Sequence, residues 1–381
     1  MRIGINANYF LKPSTGIGVV TLEWMRTLAI TPHQADHEWI WYYEGEVPAG
    51  DWPTNWQFRR VETFWQRDDT LHRFLWEHFS LPKAIKADDC EVFFSLYQAA
   101  TVLPSAVRHA MFVHDLIPLR FPEYLPNFRQ RFHYRQIETA IRRVPILIVP
   151  SEATRKDVES FLEVPTRRIT VVNLGIDERF LQTLSPDDRQ AVLDRYGLMS
   201  GYIYHGGGLE RRKNTQVLLE AYKELLQGVQ ATPLPKLVIS GTIHDEQNPM
   251  ATPVRTLVRE LGLENHVVLL GWVPDADLSA LYQGAIFFVY PSRYEGFGIP
   301  VLEAFASGTP AITTVAGSLS ELSGGAAQLV VPDSVENLAE AMRKMLTDSA
   351  ERDRYAALGR ERAKKFRWET FTAAILRTLL P

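Results

Sequence analysis

The stretch "RYEGFGIPVLEAFASGTP", residues 293 to 310, sets two carboxylates eight positions apart, Glu295 in a glycine-rich turn and Glu303 in the segment after it. Pro300 fits a first helical turn, where its missing N–H would be unpaired anyway. The amides of Phe297, Gly298, Ile299 and Val301 would then surround an anion site at a helix start. Two glutamates repel an anion, yet they accept hydrogen bonds from hydroxyls. A ligand that carries phosphate and many hydroxyls satisfies both demands, and a sugar nucleotide is such a ligand. A second stretch supplies cations: "GGGLERRKN" (206–214) runs from glycines, Gly207 among them, into Arg211, Arg212 and Lys213. Permissive backbone, a helix start and adjacent positive charge suit a diphosphate. The alternative is an exposed basic first turn. A Walker loop is excluded, because no Gly-Lys-Ser/Thr follows the glycines.

Other residues are less specific. Gly16 and Gly18 in "STGIGVV" (14–20) precede a helical pattern and read either as a place for close backbone approach or as a plain tight turn. His114 closes the run "MFVHD" (111–115) and, taken alone, reads as a satisfied strand-end histidine. His205, beside the second glycine loop, reads as packing. The "DAD" of 275–277 mimics a D-x-D metal motif, but Pro274-Asp275 directly precedes a helical pattern and acids favour a first turn. No metal site is expected.

The elements that must hold these residues are short, apolar, β-branched runs alternating with helical periods. Strands are expected at 2–7, 111–115 and 146–150, and a new series opens at 202 and continues at 236–241, 266–271 and 285–292. Near-continuous hydrophobic strands between helices imply parallel sheets covered on both faces. Two such series predict an α/β chain with two doubly wound, Rossmann-like domains. The boundary falls in 171–189, giving domains 1–175 and 176–365 and a last helix within 366–381 that must pack on one of them. In open sheets of this kind ligands lie beyond the carboxyl ends of the strands, which is where the glycine loops, the histidines and the glutamates fall.

Composition bounds the rest. The chain has 381 residues, 46% apolar content and a net charge of −4, which suits a soluble globular protein with two cores. One cysteine, Cys90, excludes an intrachain disulfide and a cysteine zinc cluster. No run reaches the roughly 18 apolar residues of a membrane span, and "MRIGINANYF" does not read as a signal peptide, so a cytoplasmic place is expected. Lysine and arginine balance the acids in 1–175, at 20 each, and trail them by 21 to 25 in the remainder, which argues against nucleic-acid binding. The local exception is 120–143, with six arginines, two glutamates and several aromatics. It is either a solvated helix face or a patch for anionic lipid or a phosphate-bearing acceptor.

Taken together and in order, "STGIGVV", "FVHDLIP", "VPSEATRKDV", "GGGLERRKN", "GWVPDADLSALY", "EGFGIPVLEAFASGTPAI", "AGSLSEL" and "FRWETFTAAIL" resemble the retaining glycosyltransferases of family four, which share the E-x7-E signature. The resemblance spans almost the whole chain. It implies the GT-B architecture, two Rossmann-like domains facing across a cleft, with acceptor side first and donor side second. It implies that Glu303 holds the ribose hydroxyls and Glu295 faces the donor hexose, with amides at Phe297, Gly298 and Ile299 around hexose and diphosphate. Arg212 and Lys213 resemble the diphosphate pair, although many relatives carry an arginine where Gly207 stands here. His114 resembles the active-site histidine that contacts the donor sugar, and Val273 a backbone contact to the base.

The reaction implied is transfer of a hexose, glucose or mannose, from a UDP- or GDP-sugar to a hydroxyl of a glycan or lipid-linked glycan in polysaccharide synthesis. No cofactor beyond that co-substrate and no metal are implied. The competing readings are an inactive sugar-nucleotide or glycan-binding module and a glycoside hydrolase. The hydrolase would have no use for the basic glycine loop. A dinucleotide dehydrogenase lacks its G-x-G-x-x-G.

Overall fold

The computed structural model describes residues 1–12, 15–47, 49–65, 70–228, 234–245 and 248–380. The chain divides into two compact units, Met1–Gly175 with Arg367–Pro381, and Ile176–Phe366.

The first unit is built on a seven-stranded sheet: β1 (Arg2–Asn6), β2 (Glu38–Tyr43), β3 (Trp56–Arg60), β4 (Val92–Ser95), β5 (Arg108–Phe112), β6 (Ile146–Val149) and β7 (Ile169–Val171). Every pairing is parallel, in the order β3-β2-β1-β4-β5-β6-β7. The order reverses between β1 and β4, the topological switch point of a doubly wound sheet. Trp24, on the helix Gly16–Ala29, lies against Trp39 and Trp41 of β2 and Phe94 of β4, with ring centroids 5.4 to 6.3 Å apart. The last helix, Trp368–Leu379, belongs to this unit and packs against the helix Gly16–Ala29 and on Phe112 through Phe371. A Cβ at Gly175 would stand 2.5 Å from the backbone nitrogen of Trp368, so glycine is what lets the two segments meet.

The second unit has six parallel strands: β8 (Tyr202–His205), β9 (Leu237–Ser240), β10 (Val267–Gly271), β11 (Ala285–Tyr290), β12 (Ala311–Thr314) and β13 (Gln328–Val330). Their order is β10-β9-β8-β11-β12-β13, with the reversal between β8 and β11. One core joins Ile203, Ile239 and Val289 of the sheet to Leu218, Leu219 and Tyr222 of the helix Thr215–Gly228 and to Met342.

Two local expectations shift. The strand expected at 111–115 runs from Arg108 to Phe112, so His114 stands two residues past its end. Gly16 and Gly18 do not form a loop ahead of a helix: they are the first and third residues of the helix Gly16–Ala29, whose start is capped by Thr15 Oγ1 accepting from Gly18 N at 3.1 Å. Ser14, part of the same motif, lies outside the described residues.

Candidate active site

Both glycine-rich stretches of the second unit follow strands at its switch point, β8 and β11, and they meet. Gly207, at φ +91°, packs so tightly on the helix start that an added Cβ would lie 2.6 Å from Cγ of Pro300. The backbone continues the contact, with Arg293 N donating to Arg212 O at 2.8 Å and Ser292 Oγ lying 3.1 Å from the same oxygen.

Glu295 sits in the centre of this junction, buried. A single carboxylate oxygen, Oε1, accepts from Arg212 Nη1 (2.6 Å), Lys213 Nζ (2.9 Å), Tyr290 OH (2.9 Å) and Ser292 Oγ (2.7 Å). Burial alone would raise this carboxyl, but Arg212 and Lys213 outweigh it and hold it at about 2. The same burial, with Arg212 beside it, lowers Lys213 against the pull of Glu295. No partner meets Glu295 Oε2 among the described residues, so one oxygen is clamped and the other can accept hydroxyls. Arg212 is fixed further by donating to Tyr294 O at 3.0 Å.

The loop that carries Glu295 is braced from below. Ser318 Oγ donates to Phe297 O at 2.6 Å and lies 3.0 Å from Glu295 O, to which Ser318 N donates. Gly317, at φ +57°, passes so close that a Cβ would fall 2.5 Å from Glu295 O. Gly298, at φ +106°, caps the helix Ile299–Ala306, and Pro300 occupies its first turn. Val301 N donates to Gly298 O, which removes it from the expected anion cradle. Gly298 and Ile299 show no backbone acceptor among the described residues, so their N–H groups stay available to a ligand.

Glu303 lies four residues into that helix, half-buried, and its Oε2 accepts from Tyr282 OH at 2.9 Å. Burial pushes its carboxyl up to about 7, against the pull of Tyr282 and Arg179. Tyr282 belongs to the helix Asp275–Gly284, and buried Val273 lies two residues ahead of that helix. Asp277 in its first turn is engaged, accepting from Arg195 Nη2 (2.7 Å) and Tyr196 OH (2.5 Å).

His114, Gly16 and Gly18 belong to the first unit, and the other named residues to the second. His114 Nε2 is 2.8 Å from Leu96 O, which makes Nε2 the protonated nitrogen and leaves Nδ1 an acceptor. Burial lowers it to about 4, so the ring is neutral near pH 7. His205 has both nitrogens occupied, one donating to Val289 O and the other facing Thr215 Oγ1.

Four polar residues of this arrangement escaped the sequence reading: Tyr290, Ser292, Tyr282 and Ser318. Tyr290 ends β11 and Ser292 follows it, and the carboxyl end of a strand at a reversal of sheet order was the available signal. Tyr282 and Ser318 act across the fold and left none.

With this geometry, the chain is similar to known proteins over both units. Residues 15–180 match the family described as glycosyltransferase family 4, and residues 199–362 the one described as glycosyl transferases group 1. O-antigen chain mannosyltransferase B of Escherichia coli is 32% identical over 272 residues, covering 71% of this chain and 70% of that protein. Sucrose-phosphate synthase from Thermosynechococcus elongatus shares the fold with a TM-score of 0.77 at 17% identity, over 99% of this chain and 98% of the other. HepE of Anabaena in complex with UDP does so at 0.72 and 16%, over 99% of each chain. The chain belongs to the family 4 glycosyltransferases and has their GT-B fold.

Proposed function

We propose that the protein is a retaining, metal-independent hexosyltransferase that moves a hexose from a nucleotide diphosphate sugar, mannose from GDP-mannose before glucose from UDP-glucose, to a hydroxyl of a glycan or lipid-linked glycan. The observation that carries this reading is the clamped Glu295: a carboxylate with one oxygen held by Arg212 and Lys213 and the other open, beside the glycine loop and the helix start at Gly298. The two cations and the helix amides stand where negative charge develops on a departing diphosphate, and fixed donors are effective there because they need no reorganisation. Arg212 and Lys213 supply the charge that a metal would otherwise supply, and Asp277 is committed to Arg195 and Tyr196. Glu295, held ionised with four donors on one oxygen, is a weak nucleophile. That favours a same-face displacement in which a leaving phosphate oxygen helps take the acceptor proton. Mannose is preferred because the relative at 32% identity is named a mannosyltransferase.

The test is thermal unfolding with GDP, UDP, ADP and the corresponding hexose conjugates, each with magnesium and with EDTA. A ligand that binds only the folded chain raises Tm. We expect a rise with the guanine nucleotides, unchanged by EDTA and lost in Lys213→Ala. A rise that needs magnesium would end the metal-independent reading, and no rise with any nucleotide would turn attention to a glycan-binding protein.

The partner surface for a lipid-linked acceptor is the helix Phe128–Arg143. Its outer face presents Phe128 and Phe132, 73% and 43% exposed, together with Arg131, Arg135, Arg142 and Arg143. Apolar rings among cations fit an anionic bilayer surface. Sedimentation with vesicles of anionic lipid should retain the wild type and lose Arg142→Glu/Arg143→Glu; equal retention of both would remove the membrane role. No helix among the described residues is long and apolar enough to cross a membrane.

A further inference from the structure

At the switch point of the first sheet, the residues just past β1 and β4 carry two tyrosines whose rings meet edge to face, Tyr9 and Tyr97, 4.5 Å between centroids. The guanidinium of Arg73 lies over both rings, at 5.2 and 5.4 Å. Arg73 comes from the helix Thr70–Leu75, which passes into a π-helical turn, Trp76–Ser80. Such a turn inserts a residue into a helix and re-aims the side chains around it. Here it places Glu77, completely buried, under the guanidinium, where Oε1 accepts from Arg73 Nε at 3.0 Å. The other oxygen is tied off by Ala100 N at 2.9 Å and His133 Nε2 at 3.1 Å. Burial would raise the Glu77 carboxyl, and Arg73 with His133 outweighs it, leaving the group at about 2.

The arrangement is one-sided. Glu77 has its acceptors filled, whereas Arg73, 38% exposed, has only its Nε–H engaged. Its four terminal N–H donors meet no acceptor among the described residues. The fork is therefore held rigid from behind and open in front, at the carboxyl end of a doubly wound sheet where ligands bind. A cavity of about 300 Å³ lies at the same end, lined by Asn8, Lys12, Glu44, Arg60, Glu62 and His72. Asn8 shares the turn of Tyr9, and His72 precedes Arg73. Two cations and two carboxylates in that lining leave no net attraction for an anion, but offer donors and acceptors in equal measure.

We propose that Arg73, positioned by Glu77, is a recognition group for the hydroxyls of a neutral saccharide in the first unit, the acceptor side of the proposed transferase. This rests on the transferase reading only for the word acceptor; the binding itself does not. Saturation-transfer NMR on the full-length protein, with α-linked mannobiose as probe, tests it without the natural acceptor. Wild type should transfer saturation to the disaccharide, and Arg73→Gln should bind about tenfold more weakly, the factor that about 1.4 kcal/mol of lost hydrogen bonding gives. Arg73→Lys, which keeps the charge but not the planar fork, should restore less than half of the signal. The unfolding transition in tryptophan fluorescence, which reports the first unit with its eight of nine tryptophans, is read in each variant as a check on folding, and Tyr9→Ala replaces any variant that fails it. Undiminished signal in Arg73→Gln, or a wild-type signal abolished by millimolar inorganic phosphate, overturns the proposal. Silence in a wild type that still responds to nucleotide also overturns it and spares the transferase reading. Saccharide binding without any nucleotide response has the reverse meaning.

Discussion

Glu295 and Glu303 show how two identical side chains eight residues apart are given opposite character. Glu295 is kept ionised by Arg212 and Lys213, and its removal leaves two nearly buried cations uncompensated, their side chains 13% and 7% exposed. Glu295→Gln should therefore lower stability by about 3–5 kcal/mol, as breaking a buried ion pair does, which denaturant unfolding would measure. A cost below about 1 kcal/mol would mean that water reaches the pair. Glu303 is raised to about 7 by burial, so the folded chain holds a proton that the unfolded chain has lost above its ordinary value of 4.5. Its contribution to stability falls as pH rises through that window. Only the ionised form above about 7 leaves Oε1 unprotonated and able to accept while Oε2 takes the Tyr282 hydroxyl. We expect nucleotide affinity, followed by calorimetry, to strengthen between about pH 6 and about pH 8, and Glu303→Gln to flatten the profile. A flat wild-type profile would detach Glu303 from the donor.

Elements matter because each of these side chains is aimed by backbone that came from elsewhere in the chain. Gly317 is the clearest case: it touches no ligand group, yet a methyl there would strike the carbonyl of Glu295. Gly317→Ala should cost about 1–3 kcal/mol for a strained positive φ and weaken nucleotide binding through the displaced loop. Unchanged affinity would show that the loop can move without harm. The same example marks what was legible. Glu295, Glu303, Arg212 and Lys213 announced themselves because carboxylates and cations around glycines at strand ends have few structural uses. Ser318 and Gly317 did not, because their importance is a distance to a loop 22 residues away in sequence. The strands divide in the same way. β8, β9, β10 and β11 were readable as apolar runs, whereas "WQFRR" of β3 is half polar and "QLV" of β13 is only three residues long. Gly16 and Gly18 misled for a related reason: two glycines look like a loop, but Thr15 supplies a cap that starts the helix on them.

For the molecule as a whole, the first unit is assembled from both ends of the chain. Phe371, Ile375 and Leu379 on its last helix are almost wholly buried. Ending the chain before Arg367 exposes their partners, a loss of roughly 5 kcal/mol or more at about 1.5–3 kcal/mol for each side chain. Eight of the nine tryptophans lie in the first unit and Trp272 alone in the second, so intrinsic fluorescence reports one unit while nucleotide binding reports the other. The shortened chain should lose its fluorescence transition and keep its response to nucleotide. Retention of both would show that the helix is dispensable. Because the segment Arg367–Pro381 is made after Ile176–Phe366, the first unit is completed only after the second has been made. During synthesis its groove beside the helix Gly16–Ala29 stays bare while some 190 further residues emerge, a waiting period in which chaperones have an apolar target.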